Sequence, residues 1–233
     1  IFINQMNFFD KEKITIKKVK IDNANFSLQR NDLKMLNDYT NRKFSNKIIE
    51  INKSNIFFKD NLDEIITIIK IDKANFFFDD NKIQNKLNLK GNVFAIPFTF
   101  ELESKNDLTA EKSFLLEVQS LNLHIFNSHI VKKNNPSRGN SAISFLNNKI
   151  NTEYELIDEN IVFTSKNSKI NNSKINYNGE LTINPFDLDL YIDFNLKRIS
   201  RLFTLNSVLV EFFKSGLLFN ENISLNTSIS VNS

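Results

Sequence analysis

The 233-residue chain has no cysteine and no tryptophan, and only 4 glycines, 3 prolines, 2 histidines and 5 arginines. Without cysteine there is no disulfide scaffold, no thiolate zinc site, no thiol redox chemistry and no cysteine nucleophile. That absence does not fix the compartment, because proteins of oxidising compartments also dispense with cysteine. Two histidines are too few for a His-based metal centre to be expected. Arginine is the side chain best suited to reading bases and phosphates in bidentate fashion. Five arginines and a net charge of +3 therefore argue against a nucleic-acid partner. An average chain of this length would carry roughly 16 glycines. With only 4 there is no glycine-rich phosphate loop, and no nucleophile elbow or metal motif is found either. No apolar run reaches the roughly 18 residues of a membrane-spanning helix. No basic segment leads into an apolar one at Ile1, so no secretory signal is read. A start at isoleucine suggests a piece of a longer protein.

What the chain has instead is 23 phenylalanines, 38 asparagines, 29 isoleucines and 25 lysines. All four residue types have codons made only of A and T, so genome composition accounts for part of the bias. A hydrophobic fraction of 41% with 12% aromatics is nonetheless that of a folded chain rather than a disordered one. The dominant period is two. Phe186, Leu188, Leu190, Ile192, Phe194 and Leu196 alternate with Asp187, Asp189, Tyr191, Asp193, Asn195 and Lys197. Strict alternation predicts a strand with one apolar and one wet face. Phe94, Ile96, Phe98, Phe100 and Leu102 form a second such run, and Ile14–Ile21, Ile48–Phe58, Ile65–Phe78, Phe114–Phe126 and Leu156–Phe163 continue the pattern. The breaks Lys59–Glu64, Asp79–Lys86, Ser104–Lys112 and Asn134–Asn140 are polar and rich in Asn and Asp. These residues tolerate left-handed backbone and so replace the missing glycine in turns. Short breaks favour an antiparallel meander over crossover connections.

Some strands switch face midway. Val19 and Ile21 share one parity, while Ala24, Phe26 and Leu28 share the other; Leu116 and Val118 differ likewise from Leu121, Leu123 and Ile125. A bulge or kink is the economical cause. The sequence repeats at the same place. Residues 19–29 read VKIDNANFSLQ, residues 49–59 read IEINKSNIFFK, and residues 69–79 read IKIDKANFFFD, with SKINNSKINYN at 168–178 as a weaker copy. The offsets of 30, 20 and 99 residues exclude a fixed-period solenoid and predict one kinked-strand unit reused in a long sheet. Two segments read as helices. In the first, near 32–43, Leu33, Leu36 and Tyr39 fall at helical spacing behind a candidate cap at Asn31. The second, near 199–214, places Ile199, Leu202, Phe203, Leu209, Val210 and Phe213 on one face and stops at Ser215–Gly216.

The kinked units Ile51–Lys59 and Ile71–Asp79, KLNLKGNVFAIPFTFEL at 86–102, and GELTINPFDLDLYIDF at 179–194 together carry a family resemblance. The last segment runs Gly-x-Leu-x-Ile-x-Pro-Phe into an alternating strand and then an amphipathic helix. This pattern resembles the AsmA-like family of bacterial envelope proteins, relatives of TamB and YhdP. The resemblance spans most of the chain and rests on strand rhythm and a Pro-Phe signature. It implies a mainly β fold, a long curved antiparallel meander sheet shaped like a groove or taco, here with two short amphipathic helices. It also implies a periplasmic location, tethered to the inner membrane through a segment outside this chain, and a role in phospholipid transport to, or assembly of, the outer membrane. The strands divide at the Asn134–Asn140 loop into a first sheet segment, 1–133, and a second, 141–233, as one continuous fragment; the loop also fits a plain hairpin.

The residues themselves pose a narrower question. A meander with one apolar face must cover it with another sheet, a helix or a ligand, and two short helices cannot cover so many strands. Lipid acyl chains are one occupant, along a strip comprising Phe26, Leu28, Ile56, Phe58, Phe76, Phe78, Phe98, Phe100, Leu188, Leu190, Ile192 and Phe194. The helix near 199–214 would cap that groove, lie on a membrane surface or sit in a core, with Arg198, Arg201 and Lys214 near its ends. The alternative is a structural or adhesive β-sandwich without lipid. An outer-membrane barrel ranks third, since tyrosine is scarce, tryptophan absent and the strands kinked. No catalytic residue, cofactor or metal is expected, and no protein partner is identified. His124 and His129 lack a third ligand or a nucleophile. Asp187, Asp189 and Asp193 read as solvated strand-face charge, and Asn-x-Ser matches such as Asn25–Ser27 and Asn226–Ser228 are expected by chance in so asparagine-rich a chain.

Overall fold

Alternating Ile, Phe and Leu in the sequence become strands almost throughout. The computed structural model describes residues 2–3, 16–29, 32–60, 62–106, 110–131, 136–158, 160–170, 173–182, 187–194 and 225–230. The chain divides into two compact units, Ile1–Ser120 and Leu121–Ser233.

The first unit contains β1 (Phe2–Ile3), β2 (Ile16–Asp22), β3 (Asn25–Gln29), α1 (Asp32–Thr40), β4 (Ile48–Lys59), β5 (Ile65–Asp79), β6 (Gln84–Val93), β7 (Ile96–Asn106) and β8 (Ala110–Val118). Its sheet runs β1-β2-β4-β5-β6-β7-β8, and β3 continues the β2 edge along β4. From β4 to β8 each strand pairs with the next as an antiparallel hairpin. The edge departs from a pure antiparallel meander, because β2 and β3 both run parallel to β4. A parallel return needs a crossover, and α1 with residues 41–47 supplies it. The helix ends at Thr40, short of the expected boundary at 43, and Asn31 lies outside the described residues.

The 30-residue offset of the first two repeats is the register of that parallel pair: Ile21 faces Ile51 and Asn25 faces Asn55. Their kinks therefore lie side by side. Asn23 and Lys53 both take left-handed backbone, with φ of 55° and 47°. Next to them, Asn52 faces Lys73 and Ser54 faces Ile71, which sets Asp72 beside Lys53. Asp72 is the extra residue of a bulge, since Ile71 pairs Gly91 and Lys73 pairs Lys90. Ser54, 1% exposed, stitches the row: its hydroxyl accepts the Ala24 N–H at 3.0 Å and donates to the Asn52 carbonyl at 2.8 Å. Asn25 and Asn55 add a side-chain bond of 3.0 Å. The third copy's Asn75 does not join them; it faces Glu50 and Asn88.

The second unit contains β9 (Leu123–Val131), β10 (Ser137–Phe145), β11 (Asn148–Ile157), β12 (Asn160–Ser165), β13 (Ser168–Ile170), β14 (Ser173–Thr182), β15 (Asp187–Phe194) and β16 (Leu225–Ser230). The strands run β9-β10-β11-β12-β14-β15-β16, with β13 bridging β11 and β14. All pairs are antiparallel except β15 with β16. β9 and β10 pair directly, and the break expected at Asn134–Asn140 is already strand from Ser137 onward.

Two expected kinks take other forms. The switch after Val118 is not a bend in one strand; β8 ends there, a 3-10 turn spans Gln119–Leu121, and Asn122 at φ 48° turns the chain into β9. The fourth repeat, 168–178, is a hairpin in which Ser168 faces Ile175 and Ile170 faces Ser173. The helix expected near 199–214 lies outside the described residues.

Candidate functional site

Directly paired residues share a sheet face, so the register fixes which side chains lie together. In the first unit Phe26 faces Ile56, Leu28 faces Phe58, Ile56 faces Ile69 and Ile49 faces Phe76. Phe76 continues to Leu87, Leu102 and Phe114, and Ala74 to Leu89, Phe100 and Leu116; Phe98 faces Gly91. All eight candidates of this unit, Phe26, Leu28, Ile56, Phe58, Phe76, Phe78, Phe98 and Phe100, thus share one face. The kinks make this possible, because the parity switch at Asn23, Lys53 and Asp72 returns the apolar residues to the face they would otherwise leave. All eight are half-buried. The buried apolar members of the face are Ile71, Ala74 and Val118.

The opposite face of this unit is charged. Lys18 reaches Glu50 at 2.5 Å, with Lys73 3.9 Å away, and Lys86 sits between Asp79 at 3.3 Å and Glu103 at 3.5 Å. The hydrogen bond from Lys18 holds the Glu50 carboxyl below its ordinary value. Each of these carboxylates is paired with a lysine of a neighbouring strand.

The second unit repeats the division. Leu181 faces Leu188, Gly179 faces Leu190, Tyr177 faces Ile192, and Ile175 faces Phe194 in backbone register. Leu188, Leu190 and Ile192 are half-buried. This face has a polar inlay. Tyr154 stacks on His129 with ring centres 5.9 Å apart, and its hydroxyl donates to Asn127 at 3.0 Å. Gly139 makes room for that ring, since a Cβ there would stand 2.2 Å from Tyr154 Cζ. Burial pushes the Tyr154 phenol up from its ordinary value. On the other face, Arg138 pairs with Glu155 at 2.8 Å and Lys166 with Glu153, beside a shallow depression of about 890 Å³.

The two histidines fall on opposite faces: His124 faces Ser144 and His129 faces Gly139, one of the odd-numbered apolar-side positions. Asp187, Asp189 and Asp193 sit on the charged side opposite Thr182, Glu180 and Asn176. Among the described residues no group of three or more His, Cys, Asp or Glu side chains is placed to hold a metal ion. No described helix is long and apolar enough to cross a membrane.

Sequence reasoning missed one feature. Phe78, Asn85, Ser104 and Lys112 form a single cross-strand row on the apolar face of the first unit. The last three are polar, and each holds the chain leaving α1. Asn85, 1% exposed, accepts the Phe44 N–H at 2.8 Å and donates to the carbonyls of Arg42 at 2.7 Å and Thr40 at 3.2 Å. Ser104 donates to the Thr40 carbonyl at 3.0 Å, and Lys112 Nζ donates to Thr40 Oγ1 at 3.0 Å. Burial pulls Lys112 below the ordinary lysine value. The signal was available in principle: all three are polar residues at the apolar parity of otherwise alternating strands.

Comparison with family models, curated proteins and solved structures finds no match.

Proposed function

We propose that this chain is a non-enzymatic lipid-binding, lipid-conducting segment of an AsmA-like envelope protein. On this reading it works in the periplasm, tethered to the inner membrane through residues outside this chain, and serves phospholipid transport to, or assembly of, the outer membrane. One observation carries it: within each unit the register gathers most apolar residues of successive strands on one half-buried face, while the other face carries nearly all the charges beside a minority of apolar side chains such as Phe57, Phe77, Phe126 and Val162. Among the described residues the strands of each unit belong to one hydrogen-bonded sheet. Its side chains are Phe, Ile and Leu with few polar selectors, which suits acyl chains rather than one shaped ligand. Each buried methylene contributes about 0.8 kcal/mol, so a chain of a dozen or more is held firmly, yet every position along the strip is nearly equivalent. Movement is then passive sliding.

The test is lipid extraction and mass spectrometry of the purified protein. Wild type is expected to carry phospholipid. Phe98→Asp with Leu190→Asp, both on the apolar faces, is expected to lose it with strand content intact by circular dichroism. Lys90→Asp with Asn178→Asp, both on the charged faces, is expected to retain it. Absence of lipid from a folded wild-type protein would overturn this reading in favour of the β-sandwich alternative.

A further inference from the structure

We infer that the segment Tyr39–Ser45 is a built-in side wall that closes one rim of the first unit's apolar strip and leaves access from the opposite rim. This rests on the lipid reading above and specifies how a chain reaches that site.

The wall is defined by rows. Phe76, Leu87, Leu102 and Phe114 form one wholly apolar row across β5 to β8, and Ala74, Leu89, Phe100 and Leu116 form the next. The row beyond Phe76 breaks the pattern with Asn85, Ser104 and Lys112. Polar groups on an apolar face are costly unless partnered. Here the partners are the backbone and hydroxyl of the segment leaving α1: Asn85 and Ser104 donate to the Thr40 carbonyl, one of the carbonyls a helix end leaves without an internal partner. Asn85 also accepts the Phe44 N–H, and the Phe78 N–H donates to the Ser45 carbonyl at 2.8 Å. The segment is thus pinned to β5, β6, β7 and β8 in turn.

Its side chains complete the closure. Phe44, 5% exposed, meets Phe76 edge-on at 5.9 Å and stacks on Tyr39 at 5.2 Å. Lys43 Nζ lies 4.0 Å above the Phe78 ring. The segment therefore fills, with its own phenylalanine, the contact an acyl chain would make at Phe76. At the other end of the same strands, β6 and β7 are joined by a tight turn at Phe94–Ala95, whose φ values are 50° and 61°, and Phe94 is 55% exposed. That rim carries no such wall among the described residues. A bulky residue held at positive φ is uncommon; here it stands at the lip of the open side.

The experiment places a photo-crosslinker along one line from rim to rim. Benzoylphenylalanine replaces Phe94 at the open rim, Phe100 in mid-strip, or Phe78 under the wall, each in the full chain. The proteins are irradiated with vesicles of phosphatidylethanolamine and phosphatidylglycerol, and lipid adducts are counted by mass spectrometry. Adducts are expected at Phe94 and Phe100 and not at Phe78. Adding Asn85→Ala is expected to free the segment, reported by new tryptic cleavage after the exposed Arg42 and Lys43, and to bring Phe78 labelling to the Phe100 level. Equal labelling at all three positions in the otherwise wild-type chain overturns the wall while leaving the lipid reading intact. So does a released segment with Phe78 still unlabelled. No adduct at any position overturns the lipid reading itself, and the wall with it.

Discussion

Ser54→Ala removes one oxygen from the centre of the kink row, and its cost follows from the bonds that oxygen makes. Ser54 is 1% exposed, accepts the Ala24 N–H and donates to the Asn52 carbonyl. The two losses are unequal. The Asn52 carbonyl keeps a second donor, the Asn23 N–H at 3.1 Å. The Ala24 N–H loses the hydroxyl it bonds, and a donor stranded away from water costs about 1–3 kcal/mol. With the weaker loss at Asn52, the expected destabilisation is about 2 kcal/mol, or a fall of about 4–8 °C in Tm for a chain of this size. Urea unfolding followed by circular dichroism should show a lower midpoint at unchanged slope. Hydrogen exchange should show the Ala24 amide losing protection while amides in β6 and β7 keep theirs. Ser27→Ala, an exposed serine in neighbouring β3, is the control and should lie within about 0.5 kcal/mol of wild type. The reasoning fails if Ser54→Ala is as mild as that control, or if the Ala24 amide exchanges at the wild-type rate.

Two further outcomes follow from the same sheet. Thr67 is 5% exposed, faces Phe58 on the apolar side, and its hydroxyl has no hydrogen-bond partner; Thr67→Val should raise stability by about 1 kcal/mol in urea titration, and a loss would mean that the hydroxyl is satisfied in solution. Glu50 is held below its ordinary value of 4.5 by the Lys18 hydrogen bond first and the Asn52 bond second. A depressed folded value means that the contribution is present above pH 4.5 and lost as pH falls through the folded value, so the stability gap between wild type and Glu50→Gln should narrow on acidification, and a gap that widens would refute this.

Much of the sheet was legible because period two is a local signal. The runs at 48–58 and 65–78 became β4 and β5 within a residue of their expected ends. The face switch at Asn23 was legible for the same reason, since parity needs no partner to be seen. The parallel pairing of β2 and β3 with β4 was not, because short polar breaks suggest hairpins; yet the 30-residue offset between the first two repeats was that register in plain view. The hairpin at 168–178 shows the limit of copy-matching, as the same letters bend back when the two halves can pair with each other. The strip candidates were legible as apolar parity. The wall was not, because Asn85 and Ser104 fall where asparagine and serine otherwise mean a turn. What assigns them is a set of bonds to backbone some 40 to 60 residues away, and backbone acceptors leave no mark in a sequence.

The row of kinks also governs how this chain can change length. Asn23, Lys53 and Asp72 lie abreast in three adjoining strands. Deleting Lys53 alone would restore plain alternation to β4 with Ile56 and Phe58 still on the apolar side, but the strands on either side would keep their bend and lose the matching one beside them. An insertion of two residues in a strand preserves every face; an insertion of one inverts half of it. Length variation in this part of the chain is therefore tolerated in twos within strands, in any number at the turns, and at the kinks only if all three strands change together.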